Sequence, residues 1–295
     1  MIQSKKAHFL QQALINLIFI FIALCCVVPI LYILSAAFTD EISLAKNGYQ
    51  LLPSQFSLEA FKYIFKNPSQ ILSAYAVTIT VTVVGTLGSI LCTSMLAYAI
   101  ARRDFKLSRI LSFLVFFTLL FNGGMVPSYI INTQYYHLKD SIFAMILPYI
   151  IMPWHVFLMR SFFADTPTAL IEAAKIDGGS EAYIFFRIIV PISKPAFATI
   201  GLFTAFTYWN DWWLSMLYIN EPKLTSLQYY LYRIMNNIEF LRSSAANNVS
   251  IDLSSLPSET ARMALCVVAI GPMLIVFPFF QKYFVKGITV GSVKG

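Results

Sequence analysis

The chain has 295 residues, 58% of them apolar and only 12% charged, about half the charged share of an ordinary soluble domain. Stretches without Asp, Glu, Lys or Arg cover 7–39, 67–101, 110–138, 141–159 and 263–281, and 195–220 is broken only by Asp211. Each holds the ~20 apolar residues with which a helix crosses a ~30 Å hydrocarbon core, so composition excludes a soluble fold and predicts an all-α polytopic membrane protein with six spans. The net charge of +7 follows the membrane and does not point to nucleic acid.

In chain order, residues 1–13 form an N-terminal tail, and span one covers 14–38 with Pro29 inside it. The tail resembles a signal-peptide n-region, but the apolar run is too long and lacks a small-x-small site, so it reads as an uncleaved first span. The polar segment 39–69 holds FSLEAFKYIFKN, an expected interfacial helix. Span two, 71–101, is rich in Thr, Ser, Gly and Ala, which lets helices approach closely and places it inside the bundle. Arg102, Arg103, Lys106 and Arg109 then form a basic turn, read as a membrane anchor against a specific contact to a partner.

Span three runs from Ile110 into FNGGMVPSYI, where Gly123, Gly124 and Pro127 interrupt the helix; irregular backbone at that depth needs protein or water beside it. Span four, 141–163, contains Pro148, Pro153 and His155. With no second ligand at metal spacing, His155 reads as a hydrogen-bonded packing group. Span five, 196–219, carries YWNDWW, and the outer segment 220–257 shows no strong apolar period. Span six begins near Glu259, whose spacing from Arg262 allows a helical ion pair. Cys25, Cys26, Cys92 and Cys266 lie in apolar runs and read as small buried hydrophobes.

With both termini inside, the inner segments carry 13 of 21 Lys/Arg and 5 of 14 Asp/Glu, which satisfies the positive-inside rule. The hydrophilic stretch 165–195 is then cytoplasmic. Thr166 or Asp165 can cap a helix with Pro167 in its first turn, and Gly178-Gly179 can end it in a left-handed residue. Ser180 can cap a second helix through Ile189, stopped by Pro191 and Pro195. Leu170, Ile171, Ala174 and Ile176 give the first helix an apolar stripe, with Ala173 and Ala174 small enough for a partner's backbone to come close.

Glu172-Ala173-Ala174, Gly178 after three residues, Ile188 after nine more, then Val190 and Pro191 resemble the EAA loop, EAA-x3-G-x9-I-x-L-P, of permease subunits of type I ATP-binding-cassette (ABC) importers. Val190 replaces Leu. The flanking IDGGSEAYIFFRIIVPISKPA, WNDWW and QKYFVKGITVGSVKG are similar to the carbohydrate-uptake class. The resemblance implies a permease domain over 14–284, a coupling loop at 165–195 and a cytoplasmic tail over 285–295. It implies a homologous second permease, two cytoplasmic ABC ATPase subunits and an extracytoplasmic solute-binding protein as partners, in a bacterial cytoplasmic membrane. Glu172, Ala173, Ala174, Gly178, Ile188 and Pro191 would then couple to the ATPase. The outer segment 220–257 would meet the binding protein, and Lys282, Lys286 and Lys294 would reach the ATPase or anchor the last span. The chain has no Gly-x4-Gly-Lys-Ser/Thr loop, so ATP and Mg are expected only in the partner subunits, with no cofactor or metal in this chain.

Asp211 lies 17 residues past Lys194, about 25 Å at ~1.5 Å per residue, in the outer half of span five. A carboxylate there should face the bundle or a watered cavity. Trp209, Asn210, Asp211 and Trp212 are candidates for the substrate pathway or outer gate, with an interfacial aromatic belt as the alternative for the Trp residues. Three further functional readings stay open: a secondary transporter, for which Asp211 is the single carboxylate within a span, an ABC importer for a solute such as a peptide, and a polytopic enzyme, for which no catalytic cluster is apparent.

Overall fold

Backbone polar groups have no water partner in lipid, so apolar runs satisfy them within helices. The computed structural model describes residues 2–102, 104–247 and 258–292, and no β-strand occurs among them beyond an isolated bridge between Thr39 and Phe56. Among the described residues, three helices are long and apolar enough to cross a membrane, and three bent helix pairs pass together, up to six spans when each bent pair is counted as one. The chain divides into two units, Met1–Pro68 with Arg233–Pro272, and Ser69–Tyr232 with Met273–Gly295.

In the first unit, α1 (Ile2–Ala37) carries Pro29 and exposes apolar side chains all round, among them Leu17, Phe21 and Leu24; such a surface needs lipid or protein against it. Cys25 and Cys26 lie exposed on it and Cys266 is exposed as well, correcting the expectation of buried thiols: in a membrane helix, a small apolar side chain can face outward. Asp40 caps α2 (Glu41–Asn47) by accepting from the Ser43 amide at 3.1 Å, an element the sequence reading missed. The expected interfacial helix is α3 (Glu59–Ile64), with Phe38 packed on Phe56 and Phe61. The long helix α15 (Glu259–Ser292) starts on a carboxylate. Glu41 accepts from the Glu259 and Thr260 amides at 3.0 and 2.9 Å and from the Ser258 and Thr260 hydroxyls at 3.1 and 2.6 Å. Arg262 reaches Glu259 at 3.5 Å, as the spacing predicts.

In the second unit, α4 (Pro68–Ala101) buries Ala74, Thr78, Gly85, Ser89, Thr93 and Ala97, the small-residue face expected of span two. A Cβ on Gly85 would lie 2.6 Å from the Tyr208 ring, so glycine sets this close packing. Span three is α5 (Ser108–Leu120) followed by α6 (Met125–Ile130) and a π-helical turn (Ile131–Tyr135), bent by 113° where Gly124 adopts φ +88°. Pro127 sits inside α6. Span four is α7 (Ile142–Ile146), a 3-10 turn (Leu147–Tyr149) and α8 (Pro153–Ala164), bent by 50°. His155 is buried with Nδ1 3.3 Å from the Thr204 hydroxyl, the packing role expected.

The remaining elements are α9 (Thr168–Ile176), α10 (Glu181–Ile184), a π-helical turn (Phe185–Ile189), α11 (Val190–Ile192), α12 (Lys194–Trp209), α13 (Trp213–Tyr218), a 3-10 turn (Pro222–Leu224) and α14 (Leu227–Asn247). The 21-residue α14 corrects the reading of 220–257 as lacking apolar period: Leu227, Tyr230, Leu231 and Ile238 are buried at helical spacing. Two hydrophobic clusters stand out among the described residues of the second unit. One gathers Ala97, Ile100, Met159, Phe163, Ile189 and Ile200. The other gathers Val77, Val81, Met145, Tyr208, Leu214 and Tyr218. Positions 77 and 97 of α4 are ~30 Å apart at ~1.5 Å per residue, so the first cluster supports the 165–195 loop and the second supports the break in span five.

Candidate functional site

Pro167, at φ −58°, is the residue before α9 and offers no side-chain cap of its own. Thr166 is buried and its amide bonds back to the Phe163 carbonyl at 3.1 Å, which continues the end of α8. Gly178 supplies the left-handed residue at φ +78°. The Gly178 and Gly179 amides bond to the Lys175 and Ala174 carbonyls at 3.1 and 2.8 Å, closing the last turn. Ser180 caps α10, accepting from the Tyr183 amide at 3.2 Å. Helical backbone then continues through Ile192, correcting the expected stop at Pro191. The wide π turn before it relieves the clash of a proline ring with the carbonyl four residues earlier. The chain bends by 83° between Glu181–Ile192 and Lys194–Trp209, and Pro195 lies in the first turn of α12.

The motif residues divide between two faces. Ala174, 8% exposed, joins the cluster of Ile184, Phe185 and Ile189, with Ile171 and Ile188 packed against it. Leu170, Glu172, Ala173, Gly178, Pro191 and Ile176, the last 86% exposed, face outward. The outward apolar patch is therefore Leu170, Ala173 and Ile176, at three-residue spacing, while Ile171 and Ala174 hold the helix to its own core. A concavity of about 580 Å³ lies beside the patch, lined by Leu170, Ala173, Gly178, Tyr183 and Ile188. Glu172 makes no ion pair or hydrogen bond among the described residues. It lines a cavity of about 430 Å³ with Tyr98, Arg102, Thr168 and Lys175.

Lys175 does not pair with Glu172. Its Nζ lies 2.7 Å from Asp104 Oδ2 and 3.2 Å from Glu181 Oε1. Arg102 pairs with Asp104 and, at 2.9 Å, with Glu181. The Tyr98 hydroxyl donates to Glu181 at 2.8 Å and accepts from Arg102 at 2.7 Å. Hydrogen bonds from Arg102 and Lys175 hold the Asp104 carboxyl well below the usual carboxylate range. The bond to Asp104, then that to Glu181, raises the Lys175 ammonium. Burial pushes Glu181 up, but the bonds from Tyr98 and Lys175 outweigh it and the net shift is downward. Sequence reading took Arg102 as an anchor and passed over Asp104 and Glu181; their only signal was unpaired acidic residues in two basic inner loops.

Span five breaks where the aromatic cluster lies. α12 ends at Trp209 and α13 starts at Trp213, so the four candidates do not share one continuous helix. Asp211 accepts from the Leu214 amide at 3.1 Å and from the Tyr149 hydroxyl at 3.0 Å. Both carboxylate oxygens thus hold the break. Trp209 is buried, whereas Asn210 is exposed, with its amide donating to the Phe206 carbonyl at 2.9 Å. Trp212 stacks on Tyr232 at 4.7 Å and meets Trp213 edge-on at 5.7 Å. Lys294 and the side chains of Lys282 and Lys286 lie outside the described residues.

These features describe a multi-pass membrane protein with a built helical loop at 165–195 and a break within span five. Residues 89–290 match the family described as binding-protein-dependent transport system inner membrane component. The chain belongs to that family: it is a permease subunit of an ABC importer in the cytoplasmic membrane. It is 39% identical over 279 residues, 92% of this chain and 94% of the relative, to the polygalacturonan/rhamnogalacturonan transport system permease protein YtcP of Bacillus subtilis (strain 168). It is 32% identical over 298 residues, 99% of this chain and 100% of the relative, to the arabinooligosaccharides transport system permease protein AraQ of Halalkalibacterium halodurans. Its fold is similar, with a TM-score of 0.78 and 29% identity over 92% of this chain and 96% of the other, to a chain of a bacterial ABC transporter involved in the import of the acidic polysaccharide alginate.

Proposed function

We propose that the chain imports a carbohydrate, in the oligosaccharide size class, and that it hydrolyses no ATP itself. Two cytoplasmic ATPase subunits bind ATP and Mg, a homologous permease completes the pathway, and an extracytoplasmic binding protein delivers the sugar to the outer segment 220–257. Both termini lie inside, with the permease domain over 14–284 and a cytoplasmic tail over 285–295. The carbohydrate reading draws on the named substrates of YtcP, AraQ and the alginate importer.

The α9 helix acts as the coupling lever. The observation that carries this is the division of its motif: Ala174 and Ile188 are packed inward while Glu172, Ala173, Leu170 and Ile176 face out. A lever must be fixed to its own core and free toward its driver, since a loose loop would absorb the stroke. Gly178 and Pro191 shape the turn and the bend behind it. Closure of the ATP-bound partners moves α9, and the bundle alternates between inward-open and outward-open states.

At the outer end, Trp209, Asn210, Asp211 and Trp212 border the pathway. Asp211 keeps the span open as helix cap, the exposed Asn210 offers polar contacts, and Trp212 with Tyr232 offers ring faces of the kind a sugar's C–H surface covers. A thermal-shift screen of the cognate binding protein with oligosaccharides and peptides tests the substrate class. Stabilisation by an oligosaccharide is expected, and stabilisation by peptides alone would overturn it.

A further inference from the structure

The chain connects α9 directly only to α8 and α10, yet a lever that moves a six-span bundle has to reach spans far away in sequence. Lys175, in the last turn of α9, bonds across 71 positions to Asp104 in the turn after α4. It also bonds across the Gly178 corner to Glu181, the first residue of α10. Arg102, just beyond the end of α4, closes the circuit by pairing with both acids, and Tyr98, one turn earlier on α4, bonds to Arg102 and Glu181. The result is a ring of alternating charge, Arg102, Asp104, Lys175 and Glu181, in which every member has two opposite neighbours.

We infer that this ring is a second linkage of the transport stroke, locking α9 against α10 and carrying its movement to span two, so that these four are positioning residues. The inference rests on the reading of α9 as the coupling lever. Isolated exposed ion pairs contribute little, but this arrangement differs in two ways. The Arg102 side chain is only 11% exposed, and a buried guanidinium is costly unless its fork is paired. The pairs also share partners, so removing one charge takes one of two partners from each of two others. Helix ends favour the placement: a cation closes α9 and an anion opens α10. The corner the ring crosses is otherwise a glycine turn at φ +78°, closed by backbone hydrogen bonds.

The test uses the complete transporter, with both permeases, the ATPase subunits and the loaded binding protein, in proteoliposomes. The readout is sugar imported per ATP hydrolysed, which a merely structural residue would not move once assembled complex is normalised. Asp104→Asn and Lys175→Met are each expected to lower that ratio about fivefold or more, the lower end of typical coupling between sites. The double variant is expected to be no worse than the poorer single, because both break one circuit, and Lys175→Arg to recover most of the ratio. Glu181→Gln, which keeps the side-chain shape, serves if Asp104→Asn fails to assemble. An unchanged ratio in these variants, or losses that multiply in the double, would overturn the ring. Glu172→Lys in the same vesicles separates the two failures. Normal uptake in that variant overturns the lever and the ring with it, whereas lost uptake beside an unchanged Asp104→Asn ratio overturns the ring alone.

Discussion

Gly178 offers the sharpest test of how the proposed coupling loop is built. Its φ of +78° lies in the region that favours glycine, and a Cβ built there meets nothing within 4 Å. Size is therefore not what this position restricts within the chain; backbone conformation is. An L-residue held in the left-handed region costs about 1–2 kcal/mol, while Asn tolerates it better because its side chain can hydrogen-bond locally. At ~1.4 kcal/mol per factor of ten, Gly178→Ala would reduce the population of the closed turn about tenfold wherever an open turn competes. Gly178→Val would reduce it further, since β-branched residues fit left-handed backbone worst. The neighbouring Gly179 differs: its added Cβ would sit 2.8 Å from the Ala174 carbonyl oxygen and 3.1 Å from the Tyr183 ring, a steric conflict with the bond that ends α9. ATP-dependent uptake by reconstituted variants, normalised to assembled complex, should rank wild type, Gly178→Asn, Gly178→Ala, Gly178→Val, with Gly179→Ala also impaired. If Gly178→Ala equals wild type and only large residues impair uptake, room for a partner governs the position and the backbone argument fails.

Asp211→Asn keeps an oxygen that can accept the Leu214 amide, so it should melt near wild type and retain uptake, whereas Asp211→Ala removes the α13 cap, costs about 1 kcal/mol and should lower both. Equal, wild-type behaviour of the two variants would remove Asp211 from the pathway account. Glu41 is pushed up by burial, but bonds from Thr260, Glu259 and Ser258 outweigh this and bring its pKa below the ordinary value. Its folded pKa is thus the lower one, so its stabilisation is complete above the ordinary Glu value of about 4.3 and fades as pH falls through the folded value. Melting curves between neutral and acid pH should show Glu41→Gln less stable at neutral pH, with the gap to wild type closing in acid; a constant gap would contradict the clasp.

Six apolar runs were legible because lipid leaves the backbone no alternative to internal hydrogen bonding, and the EAA spacing marked the 165–195 loop. What the sequence hid was how three of those runs bend. Gly123, Gly124 and Pro127 marked the interruption in span three but not its 113° angle, and the break at Asn210 to Trp212 had no proline or glycine to announce it. There a carboxylate caps a new helix in mid-span, a device that looks in sequence like a lone buried charge. Pro191 misled in the other direction, because a π turn can absorb its missing N–H and its ring. The motif singled out the loop residues as a group but could not say which alanine turns inward. The Arg102, Asp104, Lys175 and Glu181 ring is assembled across as many as 79 positions, a pairing that no local pattern encodes.

The central claim is that ATP hydrolysed by partner subunits drives sugar import through the α9 lever. The most direct measurement is ATP-dependent uptake of an oligosaccharide by proteoliposomes containing the complete transporter, made in parallel with wild-type chain and with Glu172→Lys. Uptake with wild type and its loss in the variant, with the protein still membrane-inserted, is the predicted result; equal uptake by the two would contradict the account.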